Sequence, residues 1–486
     1  MQAPVLPPTS FCPAAAALAS GLLLALAGCA GTPPAPTDAL TAMPAGWKSA
    51  TPAGWTSTAD LPADVAPAWR AGQWWRLFND PVLDGLAEQV AVGNQNLALA
   101  LANVAQAEAL LRQQQAALSP TLSASLSAGR SGRPARGSAS LGLSGSWAPD
   151  LWGRLQAAVD AQGANVQASQ ADLAAARLSV QGSLASAYLS VREADAELAL
   201  LGEIIAGYQR AVTITRNRYQ AGIAAHTDLL QAQSTLANAE ASRAALQASR
   251  ANSEHAIALL LGKPPVDFGL PVGAWSGEVP PLPLVLPSEL LLRRPDVAAA
   301  ERAVVAANAR IGVARAAYFP SFNLSAGVGG SADKLAQLFS APTLAWSLGL
   351  ALAQTVFDGG ARSAAVDQAV AAHQGATASY RQTALAALGE VENLLTTQNA
   401  LATQLAQARI AADAASGAEQ RIMNSYQAGL SAYTDVVSAQ ASALSARRSV
   451  LQLQLQLQQG AVSLVQALGG GWQAPWGGAP APSAFP

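Results

Sequence analysis

Arg218–Gln233 reads RYQAGIAAHTDLLQAQ, and Ser425–Gln440 reads SYQAGLSAYTDVVSAQ. Tyr219, Gly222, Asp228 and Gln233 return as Tyr426, Gly429, Asp435 and Gln440, each 207 positions later. The same interval joins Leu261 and Gly262 to Leu468 and Gly469, and Val159 and Asp160 to Val366 and Asp367. Farther upstream it falls to 200, pairing Ala117 and Pro120 with Ala317 and Pro320, so a few residues are inserted before the second half's long helical run. Self-similarity at a fixed offset defines structural units before any element is assigned. The halves are 68–262 and 295–469, separated by a linker at 263–294.

Each half switches once from helical to strand periodicity. In the first, Leu122, Ala124, Leu126 and Ala128 alternate, and Leu141 and Leu143 follow a Gly/Pro/Arg loop, which predicts a β-hairpin over 121–146. In the second, Phe322, Leu324, Ala326 and Val328 alternate and Leu344, Trp346, Leu348, Leu350 and Leu352 answer them, predicting a hairpin over 321–353. Nine to eleven residues with one apolar and one small or polar face match a membrane-spanning barrel strand. Four strands cannot close a useful barrel, and open edges are forbidden in hydrocarbon, so partner chains must complete the sheet. Two soluble hairpins packed on helices are the alternative.

After each hairpin an uninterrupted run without proline predicts a long helix, 155–219 and 361–426. At 1.5 Å per residue each is roughly 100 Å long. Leu184, Val191, Leu198, Ile205, Val212 and Tyr219 recur at steps of seven, which predicts packing along neighbouring helices. Return helices are predicted at 228–261 and 435–468, and shorter ones at 95–118 and 295–317. Leu451–Gln458 alternates Leu and Gln as a half-buried strand would. Its register opposite helical Ala244 and the helix preference of both residue types place it in a helix, with several neighbours around it.

Composition excludes other classes. Hydrophobic residues make up 51% but aromatics only 5%, so the apolar content is mostly alanine and leucine, suited to long helices rather than a bulky enzyme core. A net charge of -2 without an arginine-rich stripe gives no field for nucleic acid. No phosphate loop or dinucleotide fingerprint is present, so no cofactor is expected. His226, His255 and His373 lie far apart in sequence, and no metal centre or catalytic constellation emerges. The reading is not an enzyme.

The apolar stretch from Ala14 to Ala27 has signal-peptide length, although no Lys or Arg precedes it. Leu26, Ala27, Gly28 and Cys29 resemble the lipobox of bacterial lipoproteins. That resemblance implies cleavage of 1–28 and lipidation of Cys29, and Ala30 after the cysteine favours the outer membrane. Residues 29–67, rich in Pro, Thr, Gly and Ala, read as an extended lipidated tether, and 470–486 as a Gly/Pro-rich tail.

Together with the duplicated turns, Asp150–Arg154 (DLWGR), Phe357–Gly360 (FDGG) and Leu291, Arg293, Arg294, Pro295 and Asp296 resemble the outer-membrane factor family of tripartite pumps, the TolC-like channels, in its lipoprotein branch. The resemblance covers nearly everything from Cys29 to Gly469. It implies an α/β membrane protein: a trimeric 12-stranded outer-membrane β-barrel continued by a 12-helix periplasmic α-barrel, with four strands per chain and 263–294 at its equator. It implies a passive efflux duct in the outer membrane, partnered by a periplasmic adaptor and an inner-membrane resistance-nodulation-division transporter. A conduit for type I protein secretion, a lipid-anchored coiled-coil scaffold without a pore, and a hydrolase are the other readings; the last lacks a nucleophile, base and orienting acid.

The turns at Tyr219–Gly222 and Tyr426–Gly429 are expected at the periplasmic tip. Asp228 and Asp435 follow them at matched positions. At a helix start, aspartate caps backbone N–H groups and meets the favourable end of the dipole. The resemblance gives Asp435 a second role, as the first of two aspartates that ring the closed entrance. The second of that pair is Ser438 here, so the ring holds three carboxylates rather than six, with Tyr426 and Tyr433 as local partners.

Overall fold

The computed structural model describes residues 44, 46–50, 56–57, 69, 71–132, 136–284, 287–334 and 344–476. Cys29, the signal segment, most of 29–67, loop residue Arg133 and the tail beyond Trp476 lie outside them. In chain order the main elements are α1 (Pro81–Gly93), α2 (Gln95–Ala116), β1 (Thr121–Ser131), β2 (Arg136–Trp147), α3 (Arg154–Gln220), α4 (His226–Leu260), α5 (Pro287–Arg293), α6 (Pro295–Ala316), β3 (Ser321–Ala332), β4 (Leu344–Ala353), α7 (Ala361–Gln427) and α8 (Tyr433–Ala467). Both long helices have 67 residues and both return helices 35, so the duplication read from the sequence is a duplication of structure. Leu451–Gln458 is helical, inside α8, with Leu457 and Gln458 buried.

The chain divides into two compact units, and the described residues of the first fall within 111–162 and 305–374. It holds one antiparallel sheet in the order β1-β2-β3-β4. The register puts Leu126 opposite Leu141, Leu143 opposite Val328, Val328 opposite Trp346, and Leu324 opposite Leu350. One face is therefore a continuous apolar surface, and it is exposed in the single chain: Leu122 is 71% accessible and Trp346 81%. The other face aligns Ser127 with Ser140, whose hydroxyls bond at 2.7 Å, and Ser144 with Gly327. This polarity, apolar outside and small or polar inside, is that of strands facing lipid on one side and water on the other. Among the described residues no helix is long and apolar enough to cross a membrane.

The two sequence motifs after the hairpins start the long helices. The Asp150 carboxylate accepts the Gln156 N–H at 2.7 Å, and Trp152 donates to Pro320 O at 2.6 Å while stacking on Phe319. In the second half the Asp358 carboxylate accepts the N–H groups of Gly360 and Arg362 and the Arg362 guanidinium. Each aspartate satisfies donors that the first turn of a helix leaves open.

The second unit comprises the described residues of 40–110, 163–304 and 375–486. Its seam along α3 buries Leu184, Tyr188, Val191, Leu201, Ile205, Tyr208, Val212 and Thr215, mostly at alternating steps of three and four. Within the single protomer two members of the step-seven row lie off this seam: Leu198 is half-buried and Tyr219 is 42% exposed. A straight helix drifts about 20° per heptad, which suits Tyr219 at the row's end but not Leu198 in its middle. Small residues elsewhere let the helices approach.

The largest core gathers Trp74, Leu83, Val90, Leu184, Ile257, Leu290, Leu395, Leu464 and Leu468. Its N-terminal part, a 3-10 turn at Trp74–Phe78 followed by α1, was not resolved as separate elements by periodicity. The signal was a local one, Asp80 before Pro81: the Asp80 carboxylate accepts the N–H groups of Val82 and Leu83, and Pro81 suits the first helical position. The described parts of 29–67 are bound to the rest of the chain. Lys48 and Ser49 donate backbone N–H groups to Glu392, and Thr56–Ser57 pairs in parallel with Pro283–Leu284.

Polar contacts hold the linker onto the helices. Asp195, 1% exposed at its side chain, accepts from Arg250 at 2.6 Å, Arg192 at 3.2 Å and the Gly273 N–H at 3.2 Å. Arg192 also donates to Pro271 O, and Arg250 to Leu270 O and Glu254. At the other end of the linker Arg294 reaches Asp296, Glu390 and Ala467 O, so the Arg-Pro-Asp motif joins α6, α7 and the C-terminal end of α8. Asp195→Ala leaves two guanidinium groups without their shared counter-charge, at a cost of about 3–5 kcal/mol. The expected result is a lower midpoint in thermal unfolding followed by circular dichroism; an unchanged midpoint would show that the network adds nothing to stability.

Candidate functional site: the paired helix turns

Both turns are built the same way. At the end of α3, Gly222 donates to Tyr219 O at 2.9 Å and Ile223 to Arg218 O at 2.8 Å; at the end of α7, Gly429 donates to Tyr426 O at 3.0 Å and Leu430 to Ser425 O at 2.8 Å. These crossed bonds form a Schellman stop, which requires a left-handed residue at the position of the glycine. Gly222 has φ of 70° and Gly429 of 77°, so the repeated glycine is a backbone requirement. The repeated Tyr-Gln-Ala-Gly is thus a helix terminus written out in sequence.

The next helices begin at His226 and Tyr433, behind Ala225 and Ala432 as N-caps. Asp228 and Asp435 therefore stand at the third helical position, not at the cap. The Asp435 carboxylate reaches back to the Ala432 N–H at 3.2 Å, which gives it the helix-start role of an acidic residue near free N–H groups. Ser438 donates to Thr434 O at 3.0 Å. Asp435 and Ser438 are exposed, and Asp228 is half-buried.

Tyr426 and Tyr433 are not partners of Asp435 within the protomer. They are 4% and 2% exposed, stand edge to face with centroids 5.2 Å apart, and pack with Val212, Leu229, Ala232 and Val436. Burial, with the nearby phenols of Tyr426 and Tyr208 and the Asp228 carboxylate disfavouring a further negative charge, pushes the Tyr433 phenol up to about 12. Their large apolar area favours the interior over a position beside an exposed carboxylate. The matched pair Tyr219 and His226 has ring centroids 5.0 Å apart, and Tyr219 is largely exposed. The duplicated turns share a backbone and an aromatic contact but bury it in only one half.

Arg218 makes the difference, and sequence reasoning passed over it. Its guanidinium lies 4.8 Å from the Tyr426 ring centre and donates to Tyr426 O at 3.1 Å and Gln427 O at 3.3 Å. A cation is thus set against the negative end of α7, on an aromatic face. The 207-residue offset brings Ser425 to the matching position, so the second turn carries no such cation. That broken match was the available signal. Among the described residues no three His, Cys, Asp or Glu side chains converge on a metal position.

A four-stranded sheet with one lipid-type face, two 67-residue helices and duplicated helix turns define a TolC-like outer-membrane channel chain, in which strands contribute to a β-barrel and helices to an α-barrel. Residues 86–263 and 286–470 match the family model described as outer membrane efflux protein. The chain belongs to that family, and its function is that of the outer-membrane channel of an efflux system. It is 32% identical over 477 residues to the pyoverdine export outer membrane protein OpmQ of Pseudomonas putida, covering 93% of this chain and 97% of that one. It is 30% identical over 420 residues to the cation efflux system protein CusC of Escherichia coli, covering 84% and 90%. Among solved structures, the outer-membrane channel OprN aligns with a TM-score of 0.81 at 29% identity, covering 92% of this chain and all of that one. A CusC structure aligns with a TM-score of 0.79 at 27% identity, covering 91% and 99%. The family is one of channels, not enzymes.

Removing Arg218 leaves the carbonyls of Tyr426 and Gln427 without a charged donor, a loss of about 1.5–3 kcal/mol. Arg218→Ala is expected to speed amide exchange across 425–433, read by mass spectrometry, while exposed Arg216→Ala leaves it unchanged. The same exchange rates in both variants would show that Arg218 does not hold the turn.

Proposed function

We propose that the chain is the gated exit duct of a tripartite pump: a lipid-anchored homotrimer in the outer membrane, closed at its periplasmic end by the helix turns. A periplasmic adaptor opens it, and an inner-membrane resistance-nodulation-division transporter supplies the energy. The observation that carries this reading is the open sheet. β1 and β4 are its two edges, and its apolar face is exposed, so four strands need other chains before they are stable in hydrocarbon. Three copies supply twelve strands and join the long helices into one duct. The efflux and export roles in the names of the relatives support a pump rather than a protein-secretion conduit or a poreless scaffold.

The gate is assigned to the turns bearing Asp228 and Asp435. Asp435 is exposed and its neighbour one turn on is Ser438, so three chains bring three equivalent carboxylates to the entrance. Like charges so grouped repel, and a bound cation offsets the repulsion. Asp435→Ala is therefore expected to raise resting single-channel conductance in planar bilayers or weaken block by divalent cations, whereas Arg133→Ala in the hairpin loop changes neither. Equal effects at both positions, or unchanged conductance and block in an intact Asp435→Ala trimer, would place the gate elsewhere.

The anchor is assigned to Cys29, with 1–28 removed as a signal and 29–67 as the tether. Two or more acyl chains give stable membrane attachment where one does not. Metabolic labelling with a palmitate analogue is expected to mark the wild type and not Cys29→Ala. Because the barrel itself also holds the trimer in the membrane, export is expected to survive the substitution. An intact mass showing an unmodified Cys29 in the mature protein would refute the acylation.

A further inference from the structure

Away from the turns and the sheet, α3, α4 and α8 line an open-mouthed cavity of about 560 Å³. Glu193 and Glu197 enter it from α3, Leu246 from α4, and Arg448, Leu455 and the amides of Gln452, Gln456 and Gln459 from α8; the remaining lining from α4 is serine and alanine and adds no titratable group. The two glutamates are 7% and 2% exposed. A buried carboxylate ordinarily has donors on its oxygens, because its desolvation is otherwise uncompensated. Here Glu193 Oε1 has none among the described residues. Arg448 Nε lies 2.5 Å from Glu197 Oε1, an ion pair by distance, but its N–H does not point along that line and makes no hydrogen bond. One guanidinium thus faces two carboxylates, one positive charge short of their sum when both are ionised.

The missing group has a definable chemistry. The volume is that of a small-molecule site. A hard divalent ion takes six or more oxygen ligands, and the Arg448 charge opposes it. An ammonium group brings one charge and three N–H donors, and Leu246 and Leu455 offer apolar surface for a short carbon chain. We propose that this cavity binds a small aliphatic amine, its ammonium donating to Glu193 and Glu197 and its chain lying on the two leucines. The site is in the helical wall and is separate from the gating residues.

Protons compete with the amine. Burial, then the Glu197 charge and a hydrogen bond shared with the Glu197 carboxyl, pushes the Glu193 carboxyl up to about 7 against the opposing pull of Arg448. Above that pH the carboxylate is free for the ammonium; below it Glu193 carries a proton and the attraction is lost. Affinity is therefore expected to be about tenfold weaker at about pH 6 than at about pH 8. The test is isothermal titration calorimetry on the detergent-solubilised, full-length assembly with butylamine as the probe. Binding at the higher pH, weakened at the lower and abolished by Glu193→Gln in an assembly of unchanged size, supports the site. Leu246→Trp keeps both carboxylates and fills the space, so it is also expected to abolish binding and decides the matter alone should Glu193→Gln fail to assemble. No heat from the wild type at the higher pH, or heat unchanged in both variants, overturns the proposal. Heat that depends on Glu193 with magnesium chloride but not with butylamine overturns the amine assignment.

Discussion

A backbone N–H or C=O left unpaired in hydrocarbon costs several kcal/mol, and that penalty governs this protein more than any side-chain contact. The sheet presents an apolar face fit for lipid, yet it has only four strands and therefore two open edges. Sheet closure and lipid insertion are possible only with further copies, and the family's trimeric channel fold supplies them. The distribution of side chains on the sheet answers the same requirement. The single chain exposes Leu348, Leu350 and Leu352 because lipid covers them in the assembled channel. Sparse bulky residues on the other face leave room for a lumen.

Long helices pose the opposite problem: their backbone is satisfied internally, so side chains must hold them in place. Alanine and leucine permit close approach, but they are too uniform to select one register. Specificity comes from a few polar anchors, each with several partners. Asp195 receives two guanidinium groups and a linker N–H, and Arg294 joins two carboxylates and a helix-terminal carbonyl. Gln458 accepts from Trp275 and donates to Glu278 O. Such groups are costly to bury unless fully paired, so they discourage slipped packings in which the pairing is lost. Glu193 departs from this pattern, which is why its cavity is informative.

Duplication also explains why the two turns are alike in backbone and unlike in environment. A Schellman stop needs only glycine at one place and helical residues before it, so both copies retain it. The aromatic pair behind the stop is buried in one copy and largely exposed in the other, and Arg218 reinforces only the buried one. Each chain thus presents two kinds of turn, one receiving the Arg218 guanidinium on its carbonyls and one without a matching cation.

The amino-acid sequence alone established the repeat, the four strands and their lipid-facing side, the long helices and their ends, and the family. The elements depend on local periodicity and turn chemistry, which short windows of residues carry, and the repeat and the family on matches that need no knowledge of packing. Even the alternating Leu-Gln stretch could be placed in a helix once its repeat register was known. The same signals located Asp228, Asp435, Tyr426 and Tyr433 at the turns, because helix stops and starts have residue signatures. Which way those side chains face was settled by three-dimensional packing: the tyrosines inward, Asp435 to its own helix start and to solvent, and Arg218 across to the carbonyls of α7. Packing alone brought Asp195 to Arg250, 55 residues away, and left Glu193 Oε1 without a donor. Such pairings depend on where separate helices meet, and in an alanine-rich sequence many registers bury nearly the same apolar area, so periodicity cannot choose among them.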